Sequence, residues 1–103
     1  MASGNGIAYK IYRQNGEVLL AACDAELLGK TFEEGELHLE VNGTFYDGSR
    51  IDADTLQEHL NNSTMANLVG EVVIKTALAA GAISDDCVMR IAGVPHAQIY
   101  RMV

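Results

Sequence analysis

The side chains with the widest chemical repertoire in this chain are three histidines and two cysteines, and they are scattered through the sequence. They form neither a C-x-x-C nor an H-x-x-x-H pair, the spacings that are typical of structural zinc sites. Neither cysteine lies in a sequence typical of a catalytic nucleophile, and the glycine patterns of phosphate-binding and dinucleotide-binding loops do not occur. We therefore predict no metal, no cofactor and no catalytic residue.

The most specific local sequence is GVPHAQ at residues 93–98, which contains the only proline of the chain. Because proline fixes φ at about −65° and suits the second position of a turn, we predict that Gly93 to His96 connect two strands. Such a connection presents His96 at the end of a sheet, where it serves as a general acid or base if a pocket forms beside it. The alternative is a tight connection whose histidine caps a backbone carbonyl. The candidate binding residues of this segment are Gly93, Pro95, His96 and Gln98.

Asn67 and Glu71 are the second group of candidates, since they are predicted to lie one turn apart on a helix. Together they offer hydrogen-bond donors and acceptors to a ligand or to a facing loop. The alternative is a polar tie between helix and sheet. If Asn67, Glu71 and His96 converged, they would form a polar cluster with the ingredients of a small enzyme.

Asn67 and Glu71 lie in the element predicted for residues 64–80. Apolar side chains recur there at the i, i+3, i+4, i+7 spacing of an amphipathic helix, at Met65, Leu68, Val69, Val72 and Val73. Gly81 suits the left-handed residue that ends a helix. A glycine inside a helix costs about 1 kcal/mol relative to alanine. We therefore predict that Gly70 stands there because another backbone approaches closely. The spacing therefore predicts one long helix over about residues 64–80.

The remaining segments are predicted to be mostly strands. Apolar and polar residues alternate in residues 7–13 and 36–41, and residues 87–92 and 97–103 are also predicted to be strands. Residues 17–23 are apolar on both faces, which predicts a strand in the centre of the sheet. Asn15-Gly16 indicates a tight turn between the first two strands. Asp52 or Asp54 is expected to begin a short helix. This order predicts an α+β fold, with a small, mainly antiparallel sheet packed on the long helix and one or two short helices. Residues 1–6 are expected to be a flexible N-terminus and residues 7–103 a single domain.

Composition limits the partners that this chain can have. The formal net charge is −7, and residues 24–58 hold most of the fourteen acidic residues. This distribution argues against non-specific binding to nucleic acid, which needs clustered Lys and Arg, and favours a basic partner. Glu71 and Lys75 interrupt the longest apolar run, so we predict no membrane-spanning segment. Without a recognisable secretory leader or a disulfide pattern, a cytoplasmic protein is expected.

Five blocks of sequence together resemble a known family of short archaeal proteins, catalogued as domain of unknown function number 424. The blocks are residues 10–13, 17–24, 27–32, 66–71 and 93–98, and the resemblance runs from about Ile7 to the C-terminus. It implies an archaeal, cytoplasmic, single-domain protein, and it favours a partner in the translation machinery. The family has no established catalytic residues, so the resemblance transfers none.

Three hypotheses follow from the sequence. The first is a non-enzymatic protein-binding module, associated with the translation machinery, that offers the connection at Pro95 and His96 to a basic protein or ribonucleoprotein. The alternative is a small-ligand-binding protein or small enzyme that uses His96, Asn67 and Glu71. The third is a structural subunit that forms a homo-oligomer through an exposed strand edge.

Overall fold

The computed structural model describes residues 6–100, in which eight strands form two sheets. The strands are β1 Ile7–Gln14, β2 Glu17–Asp24, β3 Thr31–Glu34, β4 Leu37–Glu40, β5 Ser49–Ile51, β6 Met65–Val69, β7 Met89–Ile91 and β8 Val94–Tyr100. The α-helices are α1 Gly43–Tyr46, α2 Ala53–Asn61 and α3 Glu71–Ala79, and short 3-10 turns span Ala25–Leu27 and Asp85–Cys87. Residues 1–5 of the predicted N-terminus and residues 101–103 of the last predicted strand lie outside the described residues.

The larger sheet has the strand order β5-β1-β2-β6-β8-β7. Strands β2 and β6 are parallel, and the other neighbouring strands are antiparallel. The predicted turn at Asn15-Gly16 is confirmed, because both residues have positive φ, 54° and 80°, as a two-residue hairpin turn requires. The predicted short helix is also confirmed: Asp52 caps α2 by accepting from the Thr55 N–H at 2.9 Å.

The two faces of the larger sheet are covered by different elements. We call the side that carries Leu20 and Leu68 the helix face, because α2 and α3 pack there around a core with Leu56 and Val73. We call the side that carries Val69 the hairpin face, because the β3–β4 hairpin, which is the second sheet, and α1 cover it. Successive side chains of a strand point to opposite faces, so each central strand contributes to both cores.

The prediction of one long helix over residues 64–80 is wrong, and the sheet is therefore not packed on such a helix. This segment folds as strand β6, Gly70 and helix α3, and no helix in residues 6–100 is longer than nine residues. Gly70 has φ 112° and ψ 158°, which is not helical backbone, and a Cβ atom there would lie 2.4 Å from the Asp24 carboxyl carbon. Because β6 carries apolar residues on both faces, its sequence also fits the helical spacing.

The predicted connection at Gly93 to His96 is also placed differently. The turn between β7 and β8 is Ala92-Gly93, with φ values of 53° and 83°, and Val94 to His96 belong to strand β8. Pro95 accepts from the Gly70 N–H at 2.9 Å but has no N–H to donate in return. The Gly70 carbonyl opposite Pro95 accepts instead from the Ile74 N–H, the first hydrogen bond of α3, so this carbonyl is not left without a donor.

Candidate functional site

A cleft of about 580 Å³ opens on the hairpin face, beside the β3–β4 hairpin. The sheet, strand β4 and helix α1 all contribute to its lining, which consists of Tyr12, Leu39, Glu40, Asn42, Thr44, Phe45, Tyr46, Asn67 and Gln98. These side chains are aromatic, aliphatic, amide or hydroxyl groups, with one carboxylate. Their mixture of apolar walls and a few polar groups is typical of ligand-binding clefts.

Helix α1 is held in place by two polar contacts. Asn42 caps it, because its side-chain oxygen accepts from the Phe45 N–H at 3.0 Å. The Tyr12 hydroxyl donates to the Phe45 carbonyl at 2.7 Å and so ties α1 to strand β1. The rings of Tyr12 and Phe45 stack with centroids 5.2 Å apart and an interplanar angle of 16°, and Tyr46 meets Phe45 edge-on at 5.0 Å. One wall of the cleft is therefore a fixed aromatic cluster.

The floor of the cleft carries a pair of amide side chains. Asn67 of β6 and Gln98 of β8 are directly opposite each other in the antiparallel register, and both line the cleft. Side chains in such a position have Cβ atoms about 5 Å apart. Among residues 6–100, neither side-chain amide has a hydrogen-bond partner. Each amide thus offers an NH₂ donor and a carbonyl acceptor to the cleft.

The cleft is acidic. Glu40 lines it, and within the part of the chain that the structure describes no Lys, Arg or His does so. The nearest cation with a described contact is Lys10, whose Nζ lies 3.4 Å from the Thr44 carbonyl oxygen and 5.5 Å from the centroid of the Tyr12 ring. That distance is within the range of a cation–π contact, so an ammonium group already lies against one aromatic ring of this wall.

Of the sequence candidates, Asn67 and Gln98 line the cleft, whereas Glu71 does not. Glu71 begins α3, and its carboxylate accepts from the Arg90 guanidinium at 2.9 Å. Arg90 also donates to the Gly93 carbonyl at 3.1 Å, which ties the β7–β8 turn to this pair. Glu71 and Arg90 line a second, separate depression of about 460 Å³. Asn67, Glu71 and His96 therefore do not line a common pocket.

His96 follows the alternation of strand β8, which places it on the hairpin face with Gln98, but it does not line the cleft. It is half-buried between Val69 of β6 and Met89 of β7. Its Nε2 atom is buried and has no hydrogen-bond partner in residues 6–100. Burial lowers the pKa of His96, because the charged imidazolium is desolvated there.

Asp24 is a buried carboxylate that stabilises the start of α3. It lies at the carboxyl end of β2, and its two oxygens accept from the N–H groups of Val72 and Val73 at 3.1 and 3.0 Å. Asp24 also precedes the turn at Ala25–Leu27, but its side chain makes no cap hydrogen bond there and caps α3 instead. Burial raises the pKa of Asp24, and the two N–H groups counteract that effect. The first turn of α3, a position that binds anions in many proteins, is thus occupied by the chain's own carboxylate.

Sequence reasoning missed the aromatic wall and Glu40. Tyr12 and Phe45 are 33 residues apart, and no local pattern links them. The one usable signal is Asn42-Gly43, a turn-forming pair that begins two residues after strand β4 ends at Glu40. It marks a change of direction at the sheet surface, but it does not reveal which strand the turn contacts.

Further observations bear on metals, thiols and membranes. Within residues 6–100, no three His, Cys, Asp or Glu side chains are grouped closely enough to hold a metal ion. Cys23 is buried, which raises the pKa of its thiol to about 12, and Cys87 is exposed. No helix in the described part of the chain has the length and apolar character needed to span a membrane.

Comparisons with known proteins agree with this fold. A family model described as protein of unknown function (DUF424) matches residues 12–102. A crystal structure of an uncharacterized conserved protein from Methanopyrus kandleri is similar, with a TM-score of 0.76 and 26% identity, covering 93% of this chain and 91% of that chain. No curated protein matches the sequence. The similarity extends over nearly the whole chain.

Proposed function

The chain belongs to the DUF424 family of proteins of unknown function, and we propose that it is a non-enzymatic binding module whose site is the cleft on the hairpin face. The observation that carries this proposal is the Asn67–Gln98 amide pair. Two side chains with four hydrogen-bonding groups between them face a cleft and have no partner in residues 6–100. Buried polar groups are normally hydrogen-bonded within the fold. These two amides are accessible and have no such bond, so they are suited to bind an outside partner beside the aromatic wall.

Charge favours a basic protein as that partner. Residues 31–47, which form the hairpin and α1, contain five acidic residues and no Lys or Arg. Glu33 contacts His38, Glu34 accepts from the Ala92 N–H, and Asp47 pairs with Arg50. Glu36 and Glu40 have no such contact within residues 6–100. A partner with Lys or Arg side chains would complement this surface.

This proposal moves the contact away from the connection at Pro95 and His96. Pro95 is fully buried and His96 is half-buried, so neither is available as a protruding contact. Homo-oligomerisation through a strand edge is less favoured, because the two edge strands of the larger sheet, β5 and β7, have only three residues each. A partner in the translation machinery and a cytoplasmic location stay predictions from the family resemblance.

Site-specific photocrosslinking tests the proposal. A photoreactive amino acid replaces Thr44 at the cleft, and a matched variant carries it at Glu58, an exposed position on α2 of the helix face. We expect a protein adduct in host lysate from the Thr44 variant only. The captured protein, once purified, should bind the wild type and lose affinity for an Asn67→Ala/Gln98→Ala variant. Equal labelling at both positions, or no adduct at Thr44, contradicts the proposal.

A small-ligand-binding protein is the second and less favoured candidate. The volume of about 580 Å³ would hold a small molecule, but the cleft is wide open to solvent, whereas small-molecule sites bury most of their ligand. It differs from the earlier alternative, since Glu71 and His96 take no part. Native mass spectrometry of protein purified from its host separates the two candidates. A retained small molecule that the Asn67→Ala/Gln98→Ala variant lacks would favour the small-ligand protein, and absence of any adduct mass would favour the protein partner.

A further inference from the structure

We infer that the cleft on the hairpin face binds an arginine side chain presented by a basic protein segment. This inference rests on the proposed function and names the chemistry of its ligand. Three independent features of the cleft lead to it: an unpaired carboxylate, an aromatic wall and an array of hydrogen-bond acceptors.

The carboxylate of Glu40 selects for positive charge. It lines the cleft and has no ion-pair partner in residues 6–100. The basic side chain described beside the cleft, Lys10, contacts the Thr44 carbonyl and the Tyr12 ring instead of Glu40. Glu33, Glu34 and Glu36 lie further along the same hairpin and add negative charge to it. An anionic ligand would be repelled by this arrangement, whereas a cation gains a charge-assisted hydrogen bond to Glu40.

The aromatic wall favours a flat cation. Tyr12 and Phe45 are nearly parallel, at 16°, and Tyr46 stands edge-on to Phe45 at 88°. Aromatic rings attract cations to their faces, as the Nζ of Lys10 at 5.5 Å from the Tyr12 centroid illustrates at the edge of this wall. A guanidinium group adds planar stacking to that attraction, which an ammonium group does not.

The distribution of acceptors distinguishes arginine from lysine. The side-chain amides of Asn67 and Gln98 lie on the floor, where each can offer its carbonyl oxygen, and Glu40 lies on the side formed by β4. Arginine has five N–H donors spread over a planar fork, so it can reach acceptors on two sides at once. Lysine concentrates three donors at one atom. A volume of about 580 Å³ also exceeds a single guanidinium, which leaves room for the residues that flank the arginine in a protein segment.

Peptide titration followed by NMR tests the ligand chemistry. The probes are three short glycine–serine peptides that differ only in carrying arginine, lysine or citrulline, the last being a neutral analogue of arginine. At about 0.15 M salt, where exposed charges are screened, we expect the arginine peptide to shift the side-chain amide signals of Asn67 and Gln98. The citrulline peptide should bind at least roughly tenfold more weakly, and the lysine peptide should fall between the two. Equal binding of arginine and citrulline peptides would overturn the inference.

Two glutamate variants localise the effect. Glu40→Gln removes the charge in the cleft, and Glu36→Gln removes the same charge from the exposed hairpin turn. We expect Glu40→Gln to weaken binding of the arginine peptide about tenfold and Glu36→Gln to change it less than about twofold. Equal effects of both variants would mean a diffuse attraction to the acidic hairpin and would contradict a specific arginine site.

Failure of this inference can be distinguished from failure of the proposed function. If the Thr44 crosslink captures a protein whose binding does not depend on arginine, the binding module stands and the arginine site is wrong. If free arginine amide binds as tightly as the peptide, the site belongs to a small guanidine compound, which overturns the assignment to a protein segment. If no probe and no crosslinked protein engages the cleft, both are wrong.

Discussion

Two sites on the central strands of this protein differ in whether their polar side chains are hydrogen-bonded within the chain. At the carboxyl end of β2, the carboxylate of Asp24 is buried, and both of its oxygens accept hydrogen bonds from α3. On the hairpin face of the neighbouring strand β6, the amide of Asn67 is accessible and has no partner in residues 6–100. A buried polar group without a partner costs stability, so the first site must be complete within the chain. The second site can remain incomplete because it is open to solvent.

The comparison indicates which polar residues hold the fold and which are available for binding. We refer to Asp24, Gly70 and the first turn of α3 as the β6–α3 junction. If the comparison is correct, changes at the β6–α3 junction should affect mainly stability, and changes in the cleft should affect mainly binding.

Gly70→Ala should have the largest effect on stability. Its φ of 112° is strained for any other residue, and the new Cβ would lie 2.4 Å from the Asp24 carboxyl carbon. We expect a loss of about 3 kcal/mol or more in the free energy of unfolding, measured by urea denaturation. Gly43→Ala is the matched control, because nothing lies within 4 Å of a Cβ there and φ is not positive. Similar losses in both variants would argue against close approach at the β6–α3 junction.

Asp24→Ala should have the next largest effect, because it leaves the N–H groups of Val72 and Val73 without their acceptors. We expect a loss of about 2 kcal/mol, against about 1 kcal/mol for Asp52→Ala at the exposed cap of α2. In the Asp24→Ala background, Gly70→Ala should cost less than it does alone, since the clash with the carboxylate is gone. Strict additivity of the two losses in thermal or urea unfolding would contradict this account of the β6–α3 junction.

His96 should make the free energy of unfolding depend on pH, with a smaller effect than Gly70→Ala or Asp24→Ala. Burial lowers its pKa in the folded protein, so the folded state favours the neutral ring. The stability that this provides is fully present above the unfolded pKa of about 6.5 and is lost as pH falls through the folded pKa. Urea midpoints should therefore fall on acidification below about pH 6.5, and His96→Phe should reduce that slope. An unchanged slope in the variant would assign the effect to other groups.

The Asn67→Ala/Gln98→Ala variant should have the smallest effect on stability. Neither amide has an internal hydrogen bond within residues 6–100 to lose, so we expect a change within about 0.5 kcal/mol. Binding of the arginine peptide should nevertheless weaken about tenfold, measured in both proteins by an NMR titration that follows the backbone amide signals of the cleft residues Thr44 and Phe45. A loss of stability as large as that of Asp24→Ala would show that the amide pair belongs to the fold, and the comparison would fail.

Part of this fold was predictable from sequence because it depends on neighbours along the chain. Asn15-Gly16 forms its turn because these residues tolerate positive φ, and Asp52 caps α2 through an N–H three residues on. The central position predicted for residues 17–23 is also confirmed, since β2 lies between β1 and β6 and carries buried residues on both faces. The family resemblance is likewise carried by the sequence alone, and the family model supports it.

The candidate site was only partly predictable. The sequence marks Asn67 as a polar residue of a predicted helix and Gln98 as part of segment 93–98, but their pairing depends on β6 and β8 meeting in register. The cluster that the sequence suggests joins Asn67 to Glu71 and His96, whereas the fold directs Glu71 to Arg90 and leaves His96 outside the cleft. The aromatic wall brings Tyr12 to Phe45 across 33 residues, a distance over which local patterns carry no information.

What the sequence determined by itself was therefore the family, the acidic charge and those turns and caps whose energy is local. What only the tertiary structure decided was whether residues 65–69 became helix or strand. A short run that is apolar at most positions fits both the helical and the strand spacing, so the elements that contact it decide which structure forms. Here β2 and β8 pair with both edges of the run, and Asp24 caps the helix that begins after Gly70. Those long-range contacts outweigh helical spacing, because they pair the backbone groups on both edges of β6 and satisfy the N–H groups at the start of α3.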